Sequence, residues 1–228
     1  MMTDIFSMFD SNHQVILSLT STLWIMSMIL VLVASPVLWP FSNQSMIWNT
    51  MVKVVSSQTL RTKGKNIKGF LVMLNILFFF IISTNLSGMI PYNFSSTSHL
   101  MLSFSLSSVF WLSLIYLGAK KSLSHTIAHF LPEGAPAPLN PFLSIVELSS
   151  ILVRPITLSI RLTANISAGH IVLGLLGSYL SSFLFTTNFF FLLSAVHIFY
   201  FLFEFAVCLI QAYIFVLLLT LYSDDMVC

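Results

Sequence analysis

The stretch ITLSIRLTANISAGH, residues 156–170, places a permanent cation inside a run that otherwise has the composition of a membrane helix. The cation is Arg161, and its neighbours along the chain are mostly aliphatic. An arginine at the centre of a membrane helix costs about 2.5–3.5 kcal/mol on insertion scales. Charged residues at that depth usually mark ion or substrate pathways. We therefore expect Arg161 to be functional, and the rest of the sequence is interpreted outward from it.

The composition around this stretch excludes a soluble globular protein. The chain has 228 residues, of which 57% are hydrophobic and 7% charged, whereas soluble domains carry about 25% charged residues. Its net charge of +2 is too small to indicate nucleic-acid binding, and the basic residues lie between apolar runs. Cys208 and Cys228 form neither a CxxC pair nor a disulfide framework. We expect a membrane protein with no cofactor, no metal site and no nucleic-acid partner.

The apolar runs and their breaks predict an all-α, polytopic membrane protein that forms a single domain over residues 1–228. The predicted segments are a transmembrane helix at about 15–38, an amphipathic interfacial helix at 44–60, transmembrane helices at 69–91 and 100–119, a proline-rich loop at 128–141 and long helices at 142–180 and 188–222. The segment 44–60 is assigned to the interface because its apolar residues follow helical spacing on one face.

The lengths of the last two segments predict a strongly tilted helical hairpin, beside an upright first helix and an in-plane second one. Residues 188–222 would be about 52 Å long as a helix, against a hydrocarbon core of about 30 Å. Basic residues cluster at 61–68 and again at Lys120 and Lys121. The positive-inside rule puts both clusters on one side of the membrane. Counting crossings then puts the C-terminus on that side and the N-terminus on the other.

Each of the two long segments carries a polar stripe. The first stripe consists of Glu147, Arg154, Arg161 and Asn165, and the second of His197, Glu204 and Gln211. The spacing of seven, with a step of four to Asn165, is close to whole helical turns and keeps each stripe on one face.

Some of these residues admit plainer interpretations. Arg154 could pair with Glu147 or reach the interface, His197 could be a packing residue, and Asn165 and Gln211 could be interhelical hydrogen-bonding partners.

Arg161 and Glu204 are harder to explain by packing, because Glu204 is the only formally charged residue between Arg161 and Asp224. A membrane glutamate with a histidine nearby, His170 or His197, suits a proton relay. Arginine stays charged, so Arg161 would attract a carboxylate and repel a free proton.

Three stretches carry a resemblance to a known family: AHFLPEGAPAPLNP at 128–141, VRPITLSIRLTANISAGH at 153–170 and LIQAYIFVLLLTLY at 209–222. With them the chain resembles subunit a of the F-type ATP synthases in its mitochondrial form. The resemblance implies that the tilted hairpin embraces the rotor ring of c subunits. It also implies roles for seven residues: Arg161 as the essential arginine that faces the ring carboxylates, Asn165 and Gln211 as its polar neighbours, His170 and Glu204 in the proton inlet half-channel, and Glu147 and Asp225 near the outlet.

The resemblance further implies a non-catalytic subunit of the mitochondrial inner membrane, with its N-terminus on the intermembrane side and its C-terminus on the matrix side. Its partners would be the c-ring, peripheral-stalk subunit b, small membrane subunits, lipids and protons. Two alternatives stay open. A secondary transporter could bind an anionic substrate at Arg161, although the sequence lacks the internal repeat typical of that class. A purely structural subunit would tolerate the loss of Arg161.

Overall fold

The computed structural model describes residues 43–67, 69–90, 95–121, 140–182 and 187–226, and these ranges contain helices and turns but no strand. The elements are α1 (Asn43–Arg61), a 3₁₀ helix (Lys63–Asn66), α2 (Phe70–Gly88), a second 3₁₀ helix (Ser96–Ser98), α3 (Leu100–Lys121), α4 (Asn140–Ser182) and α5 (Thr187–Met226). The predicted all-α class is confirmed. The predicted helix at 15–38 and residues 128–139 of the proline-rich loop lie outside the described ranges.

Four of the described helices, α2 to α5, are long and apolar enough to cross a membrane. The helices α4 and α5 contain 43 and 40 residues, which corresponds to about 60 Å or more each. This is about twice the thickness of the hydrocarbon core. The tilt of these helices, the in-plane position of α1 and the organisation of the whole chain as one membrane domain stay predictions.

Prolines explain where two helices differ from their predicted limits. The helix α2 ends at Gly88, whereas the sequence predicted a segment to residue 91, and Met89 and Ile90 continue in a turn. Pro91 disfavours helical conformation in the residue before it. The helix α4 begins at Asn140, two residues earlier than predicted, and includes Pro141. A proline is tolerated in the first turn because its missing N–H would have no helical partner there.

The described residues fall into two compact units. The first unit contains 78–90, 95–99, 162–182 and 187–213. Its buried apolar cluster joins Met89, Ile166 and Cys208, with Leu86 and Leu173 packed against them. The end of α2, the second half of α4 and most of α5 therefore share one core.

The second unit contains 43–67, 69–77, 100–121, 140–161 and 214–226. The helices α3 and α4 are joined where Ser107 Oγ donates a hydrogen bond of 3.1 Å to the carbonyl oxygen of Pro155. The helix α4 continues through this proline. The end of α5 is fixed to the first 3₁₀ helix, since the Asp224 carboxylate accepts a hydrogen bond from the Lys63 N–H.

Candidate functional site

The buried carboxyl group of Glu204 is the centre of the candidate site in the first unit. The residue lies in α5 and is 4% exposed, although its immediate chain neighbours in the helix are exposed. Its carboxylate lies directly against Gly169 of α4, so closely that a Cβ atom at residue 169 would overlap it. Neither carboxylate oxygen has a hydrogen-bond partner among the residues the structure describes. The glycine thus makes the room in which the carboxyl group lies.

His170 follows Gly169 directly in α4. The side chain is half-buried, and its Nε2 is buried without a hydrogen-bond partner in the described ranges. This nitrogen is 3.8 Å from the position that a Cβ of Gly88 would occupy. The end of α2 therefore approaches the histidine closely. The Glu204 carboxylate and His170 Nε2, both without hydrogen-bond partners in these ranges, thus belong to residues that meet or form one short segment of α4, 169–170.

Apolar packing surrounds the carboxyl group along both helices. Ile166 and Cys208, each about one turn from the Gly169–Glu204 contact, are buried together with Met89. A carboxylate in such surroundings is costly unless a proton neutralises it or water reaches it. The arrangement favours proton exchange at Glu204 over a permanent ion pair within this unit.

A direct hydrogen bond joins the two polar stripes. Asn165 Nδ2 donates to Gln211 Oε1 at 3.0 Å, and Gln211 is 4% exposed. This bond lies seven residues along α5 from Glu204, or about 10 Å along the helix axis. The two amides are interhelical partners, which was one of the interpretations that the sequence left open.

Arg161 lies in α4, four residues before Asn165, and its side chain is exposed. It makes no ion pair or hydrogen bond with any residue of the described part. Arg154, by contrast, has its guanidinium 5.1 Å from the ring centre of Tyr222, in the geometry of a cation–π contact. The two arginines of the first stripe therefore differ in their surroundings.

The two acidic residues predicted near the outlet, Glu147 and Asp225, lie in α4 and α5. Glu147 is half-buried in α4. Asp225 lies in the last turn of α5, and its side chain is outside the described set. Within the first unit the structure therefore brings two pairs together. Glu204 lies against Gly169, the residue before His170, and Asn165 lies against Gln211.

Sequence reasoning missed Asn85 and Thr97, which the structure buries in the first unit. Their exposed fractions are 0% and 1%. Both atoms of the Asn85 amide and the Thr97 hydroxyl lack hydrogen-bond partners among the described residues. Asn85 precedes Gly88, which lies near His170 Nε2, by three residues, and so lies on nearly the same helix face. An asparagine inside the apolar run of α2 was a usable signal.

No group of three histidine, cysteine, aspartate or glutamate side chains with the arrangement of a metal site occurs in the described ranges.

Known proteins similar to this chain match it over nearly its whole length. The family model described as "ATP synthase A chain" matches residues 15–224. "ATP synthase subunit a" of Drosophila mauritiana is 38% identical over 231 aligned residues, covering 99% of each chain. "ATP synthase F(0) complex subunit a" of Myxine glutinosa is 37% identical over 184 residues, with 81% of each chain covered. "ATP synthase subunit a" of Albinaria caerulea is 41% identical over 181 residues, which covers 79% of this chain and 83% of the relative. The family model and these relatives cover most of the chain. The chain is therefore a multi-pass membrane protein of the ATP synthase A chain family.

Proposed function

We propose that this subunit passes protons through two half-channels that open on opposite sides of the membrane, with Arg161 between them. Subunit a is the proton-translocating stator component of the F-type ATP synthase and associates with the c-ring and other subunits of the complex. It forms no covalent bonds itself, and ATP synthesis belongs to the whole assembly. The transporter alternative receives no support from this family membership.

The inlet half-channel would use Glu204 and His170. The observation that carries this assignment is the buried Glu204 carboxyl group, unpartnered in the described ranges, against Gly169. A proton arriving there would be transferred to a carboxylate of the c-ring. A neutral carboxyl group can then enter lipid, whereas a charged one is strongly disfavoured. Asn85 and Thr97 would extend this path, because buried polar atoms without protein partners are sites where ordered water binds.

Arg161 would act as the fixed cation that separates the two half-channels. Its guanidinium keeps its charge at any physiological pH, so it cannot relay a proton. Its side chain is exposed on α4 and makes no ion pair with a described residue, which leaves it available to a ring carboxylate. That carboxylate would release its proton into the outlet and be held as an ion pair. Asn165 and Gln211, fixed to each other at 3.0 Å, would set the position of the helices beside it.

The outlet would use Glu147 and Asp225, near the ends of α4 and α5. We place the N-terminus on the intermembrane side and the C-terminus on the matrix side of the mitochondrial inner membrane, because the basic residues cluster at 61–68 and 120–121. The membrane potential supplies about 2.3 kcal/mol per charge per 100 mV, so several protons must cross for each ATP. Peripheral-stalk subunit b and small membrane subunits would complete the surroundings.

The experiment that tests the inlet is Glu204→Gln in the assembled complex. Glutamine retains the shape of the side chain but cannot bind and release a proton. A positioned proton-transfer group contributes about 10²–10⁴-fold in rate, so we expect passive proton flux through vesicles stripped of the catalytic head to fall by at least about 10²-fold. The matched control is Ser194→Ala on the same helix, where the hydroxyl of a half-buried serine donates to the Phe191 carbonyl oxygen of its own helix.

Two results bear on the interpretation. Native gels report whether each variant assembles, so lost flux in an intact complex is separated from lost assembly. Glu204→Asp keeps a titratable group and is expected to restore part of the flux. Proton flux in Glu204→Gln equal to that of Ser194→Ala would remove Glu204 from the path.

A further inference from the structure

The second unit contains an apolar cavity that the proton path does not use. Its volume is about 230 Å³, and its walls come from the start of α2, the second half of α3 and the end of α5. The residues that matter here are Ile67, Gly69, Met73, Ser113, Leu117 and Leu219. Among the described lining residues Ser113 is the one with a hydroxyl group, and its Oγ donates to the Phe110 carbonyl oxygen of its own helix at 2.6 Å. The cavity therefore offers water few hydrogen-bonding groups.

The chemistry of these walls selects a hydrocarbon occupant. Apolar cavities of about 150 Å³ stay dry and bind benzene in a soluble protein, and this cavity is larger. Met73 and Leu117 line it while being 50% and 38% exposed, so the cavity opens at the surface of two membrane-spanning helices. The solvent at that surface is the lipid acyl chain.

Two exposed lysines stand close in sequence to residues that line the cavity. Lys65 comes two residues before Ile67, and Lys120 comes one helical turn after Leu117; both lysines are exposed. The nearby Asp224 carboxylate accepts the Lys63 N–H. Ile67 and Leu117 at this end of the cavity therefore each have an exposed lysine within about one helical turn along the chain. Basic pockets between membrane helices characteristically hold the headgroups of anionic lipids.

We infer that this cavity is a binding site for one anionic phospholipid, with an acyl chain in the cavity and the phosphate at Lys65 and Lys120. The lipid would fill the space between α2, α3 and the end of α5 and support the contact between that end and the first 3₁₀ helix. This site is independent of the proton path, since it contains none of the residues assigned to it.

The test uses the purified, assembled complex in mild detergent with spin-labelled lipids. Phosphatidylglycerol and phosphatidylcholine carrying the same acyl-chain label are titrated separately, and the immobilised label per complex is measured. Ser113→Phe fills the cavity, and Ser105→Phe is its control, because Ser105 is an exposed serine of the same helix whose hydroxyl also bonds to its own helix. We expect Ser113→Phe to lose one immobilised phosphatidylglycerol relative to Ser105→Phe.

The headgroup is tested by Lys65→Gln and Lys120→Gln, with Lys53→Gln of α1 as the control. One surface lysine is worth about fivefold in affinity for an anionic lipid. Each variant should weaken phosphatidylglycerol binding by about that factor and leave phosphatidylcholine unchanged. Since both lysines are exposed, these variants decide the matter even if Ser113→Phe fails to assemble. Equal immobilisation in the two phenylalanine variants, equal binding of the two lipids by the wild type, or lysine variants that bind like Lys53→Gln would each overturn the proposal.

Discussion

A methyl group at Gly169 is the smallest change that tests how the Glu204 carboxyl group is placed. The Cβ of Gly169→Ala would overlap that carboxylate. The carboxylate is the far end of a flexible side chain, so it moves before the helix does. The replacement should not weaken α4, because alanine is favoured over glycine inside a helix by about 1 kcal/mol. The variant therefore displaces one functional group while leaving its helix intact.

The expected magnitude follows from the size of that displacement. Removing the overlap requires the carboxylate to withdraw by about 1 Å or more, and misplacing a reacting group by 1 Å can cost about 10²-fold in rate. We expect proton flux through the assembled Gly169→Ala complex to fall by 10- to 100-fold, on the order of that estimate. ATP synthesis driven by an imposed proton gradient should fall in proportion.

The chain offers a matched control on the same helix. A Cβ at Gly177 would meet no atom within 4 Å, so Gly177→Ala adds the same methyl group in open space. Both variants are compared by passive proton flux and by ATP-driven pumping, normalised to the amount of assembled complex on native gels. We expect Gly177→Ala to behave as the wild type.

A second change makes the test specific to the contact. Glu204→Asp shortens the acidic side chain and should recover part of the flux in the Gly169→Ala background, so that the double variant conducts better than the two single effects predict. Coupling of this kind is expected only for residues in contact. Equal flux in Gly169→Ala and Gly177→Ala, or effects of the two changes that simply add, would refute this account of the site.

Three further predictions address Arg161 and two hydrogen bonds between elements. Replacing Arg161 by lysine should abolish coupled ATP synthesis even though the charge is kept, because a compact ammonium cannot reproduce the planar, bidentate guanidinium; near-normal synthesis would favour a structural role. Asn165→Leu should remove the side chain that donates to the buried Gln211 amide and lower the free energy of unfolding of the complex by about 0.6–2 kcal/mol. An unchanged melting temperature would contradict this. Asp224→Ala should remove the hydrogen bond that this carboxylate accepts from the Lys63 N–H at an exposed site, which contributes about 0.5–1.5 kcal/mol; hydrogen exchange at 61–66 should speed up, and unaltered exchange would argue against the contact.

The helical class and the approximate limits of the helices could be predicted from the sequence because these properties are local. A run of apolar residues of sufficient length must form a helix in lipid, where every backbone group needs an internal partner. Two of the differences in helix limits arose at Pro91 and Pro141, where the effect of proline depends on whether it follows the helix or begins it, while the last helix runs to Met226, beyond the predicted limit at residue 222.

The polar stripes were also predictable, since seven-residue spacing keeps side chains on one helix face. The contacts of their members were not. Arg154 could be seen as a partner of Glu147 or as an interfacial cation, and the structure places it over Tyr222, 68 positions later in the chain. Asn85 was a usable signal but was missed, because α2 also carries Asn75 and the sequence does not show which face of the helix is packed.

The sequence by itself determined that this is a helical membrane protein with isolated charges in its last two helices, and its motifs determined the family. Both follow from short-range periodicity and from residue chemistry, which the chain carries without folding. Only the tertiary structure decided that Glu204 lies against Gly169 and that Asn165 bonds Gln211. These partners are 35 and 46 positions apart, and which residues meet depends on the rotation and register of one packed helix against another.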